Sequence, residues 1–139
     1  ILNIEYVENL NTIYIYKNKQ SEPIKISKNI IDVLEEDGLN IKYIKCGADN
    51  PIYQEREQWT DGANAFAISP GKIIGYDCNK HTINELEQAG YNKIQSSEYI
   101  DNYKHYNESE DKIIITINGS ELSRGRGGPR CLTLPLFRL

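Results

Sequence analysis

Apolar and polar residues alternate through Leu2-Asn3-Ile4-Glu5-Tyr6-Val7, the period of a half-buried strand. Thr12-Ile13-Tyr14-Ile15-Tyr16-Lys17 is dense in β-branched and aromatic residues and predicts a second strand, joined to the first by a turn over 8–11 as a hairpin. A polar loop covers 18–23. Ile30, Ile31 and Leu34 then share one face at helical spacing, with Ser27 as N-cap and Gly38 as the residue that ends the helix. Ile41 to Cys46 predicts a strand, so the first block is β-β-α-β.

The same order recurs. After a short helical turn within 52–59 and a turn at Thr60-Asp61-Gly62, Ala63–Ser69 and Lys72–Tyr76 predict two strands joined at Pro70-Gly71. Thr82 followed by Glu85 has the pattern of a capping box, opening a helix that runs to Gln88 or Ala89 and closes at Gly90. Asn92–Gln95 is the next strand. The helix-ending glycines Gly38 and Gly90 stand about one 50-residue unit apart, and such recurrence points to a repeat or propeller-like architecture. Two units seldom close such a structure, so sequence before Ile1 is expected. Ser96–Asp111 is polar, acidic and dotted with tyrosine, an exposed and partly helical insertion. Lys112–Ile117 is strongly β, and Leu132–Phe137 predicts a short buried strand.

Composition narrows the function classes. A net charge of −4 with 26% charged residues argues against a general nucleic-acid binder. No apolar run reaches membrane-spanning length and no signal-peptide pattern opens the chain, so no membrane partner is expected. Cys46, Cys78 and Cys131 are far apart and, with two histidines, show no zinc spacing. A reduced, cytoplasmic protein is the simplest fit. The sequence contains no methionine, so Ile1 is not a start residue and the missing N-terminal segment is an expected partner of this chain. Exposed strand edges would also invite association into a homo-oligomer.

The least ordinary stretch runs from Gly119 to Cys131, with Arg124, Arg126 and Arg130 among four glycines. Glycines let the backbone approach a ligand closely, and clustered arginines suit an anion and favour thiolate at Cys131. Cys131 is therefore a candidate nucleophile. The same composition also fits a flexible basic loop, a phosphate- or RNA-binding loop, or a buried small apolar cysteine. In an extended loop, Arg124 and Arg126 would share a side. Cys46 and Cys78 are expected to be structural, His81 and His105 solvated, Trp59 core, and Arg56 an ion-pair hub between Glu55 and Glu57. Asp61 and Asn64 are expected first as turn formers. No general base for Cys131 is evident.

Glu55-Arg56-Glu57-Gln58-Trp59-Thr60-Asp61-Gly62-Ala63-Asn64, Pro70-Gly71, Tyr76-Asp77-Cys78-Asn79 and Glu121-Leu122-Ser123-Arg124-Gly125-Arg126-Gly127-Gly128-Pro129-Arg130-Cys131 follow one another in this order. Together they resemble the C-terminal part of the arginine deiminases, over roughly Leu39 to Arg138. The resemblance implies an α/β pentein, a propeller of five ββαβ units, of which 1–139 would hold about two to two and a half, with an insertion at about 96–111. It implies hydrolysis of L-arginine to L-citrulline and ammonia without a cofactor. It makes Cys131 the nucleophile that carries an amidino intermediate, Arg126 a mobile arginine at the site entrance and Gly125 a substrate-contacting backbone position. In the family, a His-x-Asp element and acidic guanidinium holders lie upstream of the segment matched here. His81 and His105 match neither, Cys78 stands where arginine is usual, and the insertion is longer than the family's link. The chain alone is therefore expected to be inactive. A non-catalytic binding or assembly domain and an amidinotransferase are the alternative readings.

Overall fold

The computed structural model describes residues 13–15, 24–26, 30–36, 38–134 and 136. The chain divides into two units, Leu2–Tyr43 and Ile44–Leu139. In the first, β1 (Ile13–Ile15) pairs antiparallel with β2 (Ile24–Ile26), Ile13 opposite Ile26. β1 lies inside the strand expected at 12–17. Its partner here is a three-residue segment too short for its alternation to stand out, while Leu2–Val7 lies outside the described residues. Helix α1 (Ile30–Glu36) forms as its apolar spacing predicts. Gly38 ends it at φ +86, with Gly38 N–H on the Glu35 carbonyl and Leu39 N–H on that of Leu34. Ser27, the expected N-cap, is outside the described residues.

The strand expected at Ile41–Cys46 does not form: 41–45 are irregular and Cys46–Asp49 turn. A strand needs a partner edge for its backbone groups. Among the described residues none is paired here, and Gly47 and Ala48 swing the chain aside at φ +77 and +57.

The second unit begins with α2 (Pro51–Trp59), longer than the single turn expected. Asn50 caps it by accepting the Ile52 N–H, and Pro51 occupies a position that needs no donor. β3 (Phe66–Ser69) and β4 (Lys72–Tyr76) turn antiparallel about Pro70-Gly71. α3 (Lys80–Gln88), β5 (Asn92–Gln95), the short helices α4 (Ser96–Asp101) and α5 (Tyr103–Glu108), and β6 (Ile113–Ile117) complete the regular elements. The β-β-α-β order predicted for 63–95 is present, and Gly90 ends α3 at φ +91 as Gly38 ends α1.

The sheet order is β3-β4-β6-β5, with β6 parallel to both neighbours. The unit's own last strand, β5, is thus separated from β4 by β6. Four consecutive β6 residues, Ile113 to Thr116, are buried, as expected of a parallel strand covered on both faces. Ile94, Ile113 and Ile115 form one cluster of the core, each such burial worth about 1.5–3 kcal/mol. Tyr99 of α4 and Tyr106 of α5 pack against it and stack at 5.9 Å. The segment 96–111, expected to be exposed, therefore covers part of the core.

Two further expectations change. α3 starts at Lys80, so Thr82 lies inside its first turn and no capping box forms. The side chain of Asn79 is occupied in a reciprocal pair with Thr60. Glu57 of α2 caps α3 instead: one carboxylate oxygen accepts the His81 N–H at 2.8 Å, the other the Thr82 N–H at 2.7 Å and its hydroxyl at 2.6 Å. Of the buried strand expected at Leu132–Phe137, the described residues 132–134 and 136 form none. Leu132, Leu134 and Leu136 are exposed, because the N–H groups of Cys131 and Leu132 turn back onto the Gly128 carbonyl. No helix among the described residues is long and apolar enough to cross a membrane.

Candidate active site

Parallel strands β4 and β6 end side by side, and Asp77 N–H extends their pairing to the Ile117 carbonyl. In open α/β sheets, ligand crevices form outside the carboxyl ends of such strands. The loop after β6 begins here. Gly119 crosses the ring of Tyr76 so closely that a Cβ would overlap it. Leu122–Gly125 winds into one 3₁₀ turn, and Arg126 follows at φ +62. The loop is therefore not extended, yet Arg124 and Arg126 line one cleft, each with its own partner. Arg124 pairs with Glu121 at 2.9 Å, whereas the Arg126 guanidinium lies 4.0 Å from the centroid of the Trp59 ring.

Trp59 is 59% exposed and so belongs to the rim of the site, not to the core. It is the last residue of α2, where Arg126 rather than the sheet covers its face, a cation–π contact. Arg56 is exposed and makes no ion pair among the described residues. The structural role expected of it falls to Glu57, which is only 3% exposed.

Beyond Arg126 the loop is tied to the end of α2. Asp61 takes the left-handed position that closes this helix, φ +58, with its own N–H on Gln58 and that of Gly62 on Glu57. Aspartate tolerates this backbone better than most residues and brings a carboxylate that glycine would lack. Its Oδ2 accepts the Gly127 N–H at 3.2 Å. The Tyr76 hydroxyl donates to the Gly127 carbonyl at 2.7 Å. Gly128 packs on Asn64 without room for a Cβ. Cys131 follows, exposed, and its Sγ accepts the Asn64 Nδ2–H at 2.8 Å.

Cys131, Arg130, Asn64, Ala63, Asp61 and Gln58 line one open cleft of 410 Å³. A second, of 490 Å³, lies between Trp59, Thr60, Arg124, Arg126 and the start of the loop. Of the predicted site residues, Cys131 thus lines the first cleft and Arg126 the second. Gly125 closes the 3₁₀ turn with open space where a side chain would stand. Only Arg130 of the three arginines shares the cleft of Cys131. No histidine lines it among the described residues: His81 stacks on Tyr53 at 3.8 Å, and His105 meets Tyr106 edge-on. His81 is thereby held by a ring rather than simply solvated.

The other thiols are unlike Cys131. Cys46 is fully buried, and burial pushes its thiol above the ordinary value despite the Thr82 hydroxyl that bonds it. Cys78 is half-buried and raised for the same first reason, with Asp77 adding to it. Burial, then Asp61, Cys78 and Cys131, likewise raise Tyr76, which keeps its hydroxyl a donor. Asn64, Asp61 and Tyr76 are the residues that sequence reasoning undervalued. Asp61-Gly62 and the end of a strand read as ordinary structure, and only the fold brings Asn64 to Cys131, 67 positions away.

Comparison with known proteins covers most of the chain. The arginine deiminase family profile matches residues 4–138. An arginine deiminase of Mycoplasma capricolum is 37% identical over 125 residues, covering 89% of this chain and 26% of that protein. One of Oenococcus oeni is 38% identical over 132 residues, 93% of this chain and 27% of that protein. One of Listeria monocytogenes is 43% identical over 109 residues, 78% of this chain and 21% of that protein. The chain spans about a quarter of the length of these relatives.

Proposed function

The chain belongs to the arginine deiminase family, and on that premise we propose that it supplies the nucleophile-bearing part of an enzyme that hydrolyses L-arginine to L-citrulline and ammonia. The observation that carries the reading is Cys131: an exposed thiol in an open cleft, with an amide N–H of Asn64 aimed at its sulfur. That hydrogen bond fixes the sulfur at the cleft, where a substrate carbon can reach it.

In the proposed reaction the Cys131 thiolate attacks the guanidinium carbon of arginine, forming a C–S bond. The tetrahedral adduct expels one terminal nitrogen as ammonia, with a proton from a general acid, and leaves an amidino group on sulfur. Water then adds to the same carbon and gives up a proton, the C–S bond breaks, citrulline forms and the thiolate returns. Dividing one hard displacement in this way lowers each barrier. Arg126 and the backbone at Gly125 would contact the substrate from the loop. The general acid and base and the groups that hold the guanidinium are assigned to residues outside this chain, because its described residues bring no histidine to the cleft. The 139 residues alone are accordingly predicted to turn over no arginine. In this reading the open sheet and the β-β-α-β unit are part of a pentein propeller, with 96–111 an insertion in its catalytic domain. Three free thiols suit a cytoplasmic setting.

The test is citrulline formation from L-arginine by the intact polypeptide that carries this chain, and by its Cys131→Ala variant. Loss of turnover in the variant is expected. Equal turnover in the two removes Cys131 as nucleophile.

A further inference from the structure

One side chain touches both ends of the glycine–arginine loop. The Tyr76 ring, 1% exposed, lies under Gly119 where the loop begins, and its hydroxyl holds the Gly127 carbonyl near where it ends. From the opposite side, Asp61 holds the Gly127 N–H. That N–H and that carbonyl belong to different peptide groups, so the two bonds together fix both torsions of Gly127. Fixation matters there. Gly127 sits at φ +156, and glycines at 125, 127 and 128 would otherwise leave the segment free to wander. Arg126, immediately before, holds φ +62, which a non-glycine residue keeps only when its surroundings impose it.

The two anchors are themselves rigid. Tyr76 ends β4, hydrogen-bonded in the sheet beside β6. Asp61 is locked by the bonds that close α2. Groups held on regular elements position a site more tightly than groups on loops. We propose that Tyr76 and Asp61 are positioning residues: by clamping Gly127 they set where Cys131 Sγ stands against Asn64 and where the Arg126 guanidinium begins its reach. Neither touches the reacting atoms in this account. The clamp rests on the reading of Cys131 as nucleophile, and it acts through the backbone of the loop that carries it. Burial and the neighbouring carboxylate keep the Tyr76 hydroxyl protonated, as a donor to Gly127 must be.

The test uses Tyr76→Phe, which keeps the ring under Gly119 and removes only the hydroxyl, with Asp61→Asn and Asp61→Ala. Two quantities are read in the intact polypeptide. The first is the rate of Cys131 alkylation by iodoacetamide against pH, followed on the Cys131 peptide by mass spectrometry. The second is kcat and KM for citrulline formation. Displacing a reacting group by an ångström costs on the order of a hundredfold, so Tyr76→Phe and Asp61→Ala should lower kcat by about tenfold to a hundredfold, more than they raise KM. Both should change the rate of Cys131 alkylation from that of the unsubstituted protein as its hydrogen bond to Asn64 loosens. Asp61→Asn, which retains an oxygen to accept the Gly127 N–H, should recover most of both properties. Alkylation profiles that superimpose on that of the unsubstituted protein overturn the clamp, even if turnover falls through loss of stability. Absence of citrulline from the unsubstituted protein refutes the deimination reading instead, and the alkylation profiles then decide the clamp by themselves.

Discussion

Replacing Glu57 by glutamine tests the joint between α2 and α3 with little change of shape. Three donors converge on this buried carboxylate: His81 N–H on Oε1, and Thr82 N–H and Oγ1–H on Oε2. A carboxamide keeps one acceptor oxygen. Turned so that this oxygen serves Thr82, it faces the His81 N–H with an NH₂ group; turned the other way, it abandons two donors. The least costly arrangement therefore loses one hydrogen bond to a charged group, worth about 1.5–3 kcal/mol. It also loses the negative charge at a helix N-terminus, worth about 0.3–1 kcal/mol. The expected destabilisation is about 2–4 kcal/mol, a large part of the 5–15 kcal/mol typical of a domain. In urea, with a slope of about 2 kcal/mol per molar, the midpoint should fall by about 1–2 M without a change in slope. Equilibrium unfolding of the 139-residue chain, followed by far-ultraviolet circular dichroism, measures it. Arg56→Gln, on the exposed side of the same helix, is the control and should stay within about 0.5 kcal/mol of the unsubstituted chain. If Glu57→Gln behaves like that control, the carboxylate does not cap α3. If Arg56→Gln is the more damaging, the ion-pair role belongs to Arg56 after all.

Two more outcomes follow from the loop and the thiols. Gly119→Ala forces a methyl group into the Tyr76 ring and should cost about 1–3 kcal/mol by overpacking, whereas Gly125→Ala meets open space and should change stability by less than about 0.5 kcal/mol; equal costs in urea unfolding would mean the loop does not rest on Tyr76. The second concerns alkaline pH. Burial raises Cys46, Cys78 and Tyr76 above their ordinary values. Between the unfolded and the folded value the folded state binds more protons, so stability is full below about pH 8.5 and falls as pH rises through the folded values. Unfolding free energy measured from pH 7 upward should show that decline, with a shallower slope in Cys46→Ala; a flat profile would remove the raised values.

Periodicity carried the elements whose partners are close in sequence. α1 and the strands on either side of Pro70-Gly71 were legible because local hydrophobic spacing and turn chemistry specify them. Gly38 and Gly90 marked helix ends because only a residue at ease with positive φ closes a helix that way. Elements that depend on distant partners were misjudged. Ile41–Cys46 has the composition of a strand but finds no edge among the described residues. The apolar Leu132–Phe137 run suggested burial that Leu132, Leu134 and Leu136 do not have, because the chain turns at Cys131. Thr82 had the spacing of a cap, yet the cap came from Glu57 on another helix.

The site divides along the same line. Sequence by itself determined the family, through the ordered motifs from Glu55 to Cys131, and marked Cys131 as the thiol to watch, because an uncommon run of glycine and arginine is visible without a fold. Tertiary structure alone decided what surrounds that thiol. It sent Arg124 to Glu121 and Arg126 to Trp59, and left Arg130 beside the sulfur. It brought Asn64 to the thiol, and placed Asp61 and Tyr76 on the two sides of Gly127. The physical reason is range: propensity and spacing act over a turn or a strand, as in the Arg124–Glu121 pair, whereas the contacts of Asn64, Asp61, Tyr76 and Trp59 with the loop span about fifty to seventy residues and exist only once α2, β4 and β6 have packed.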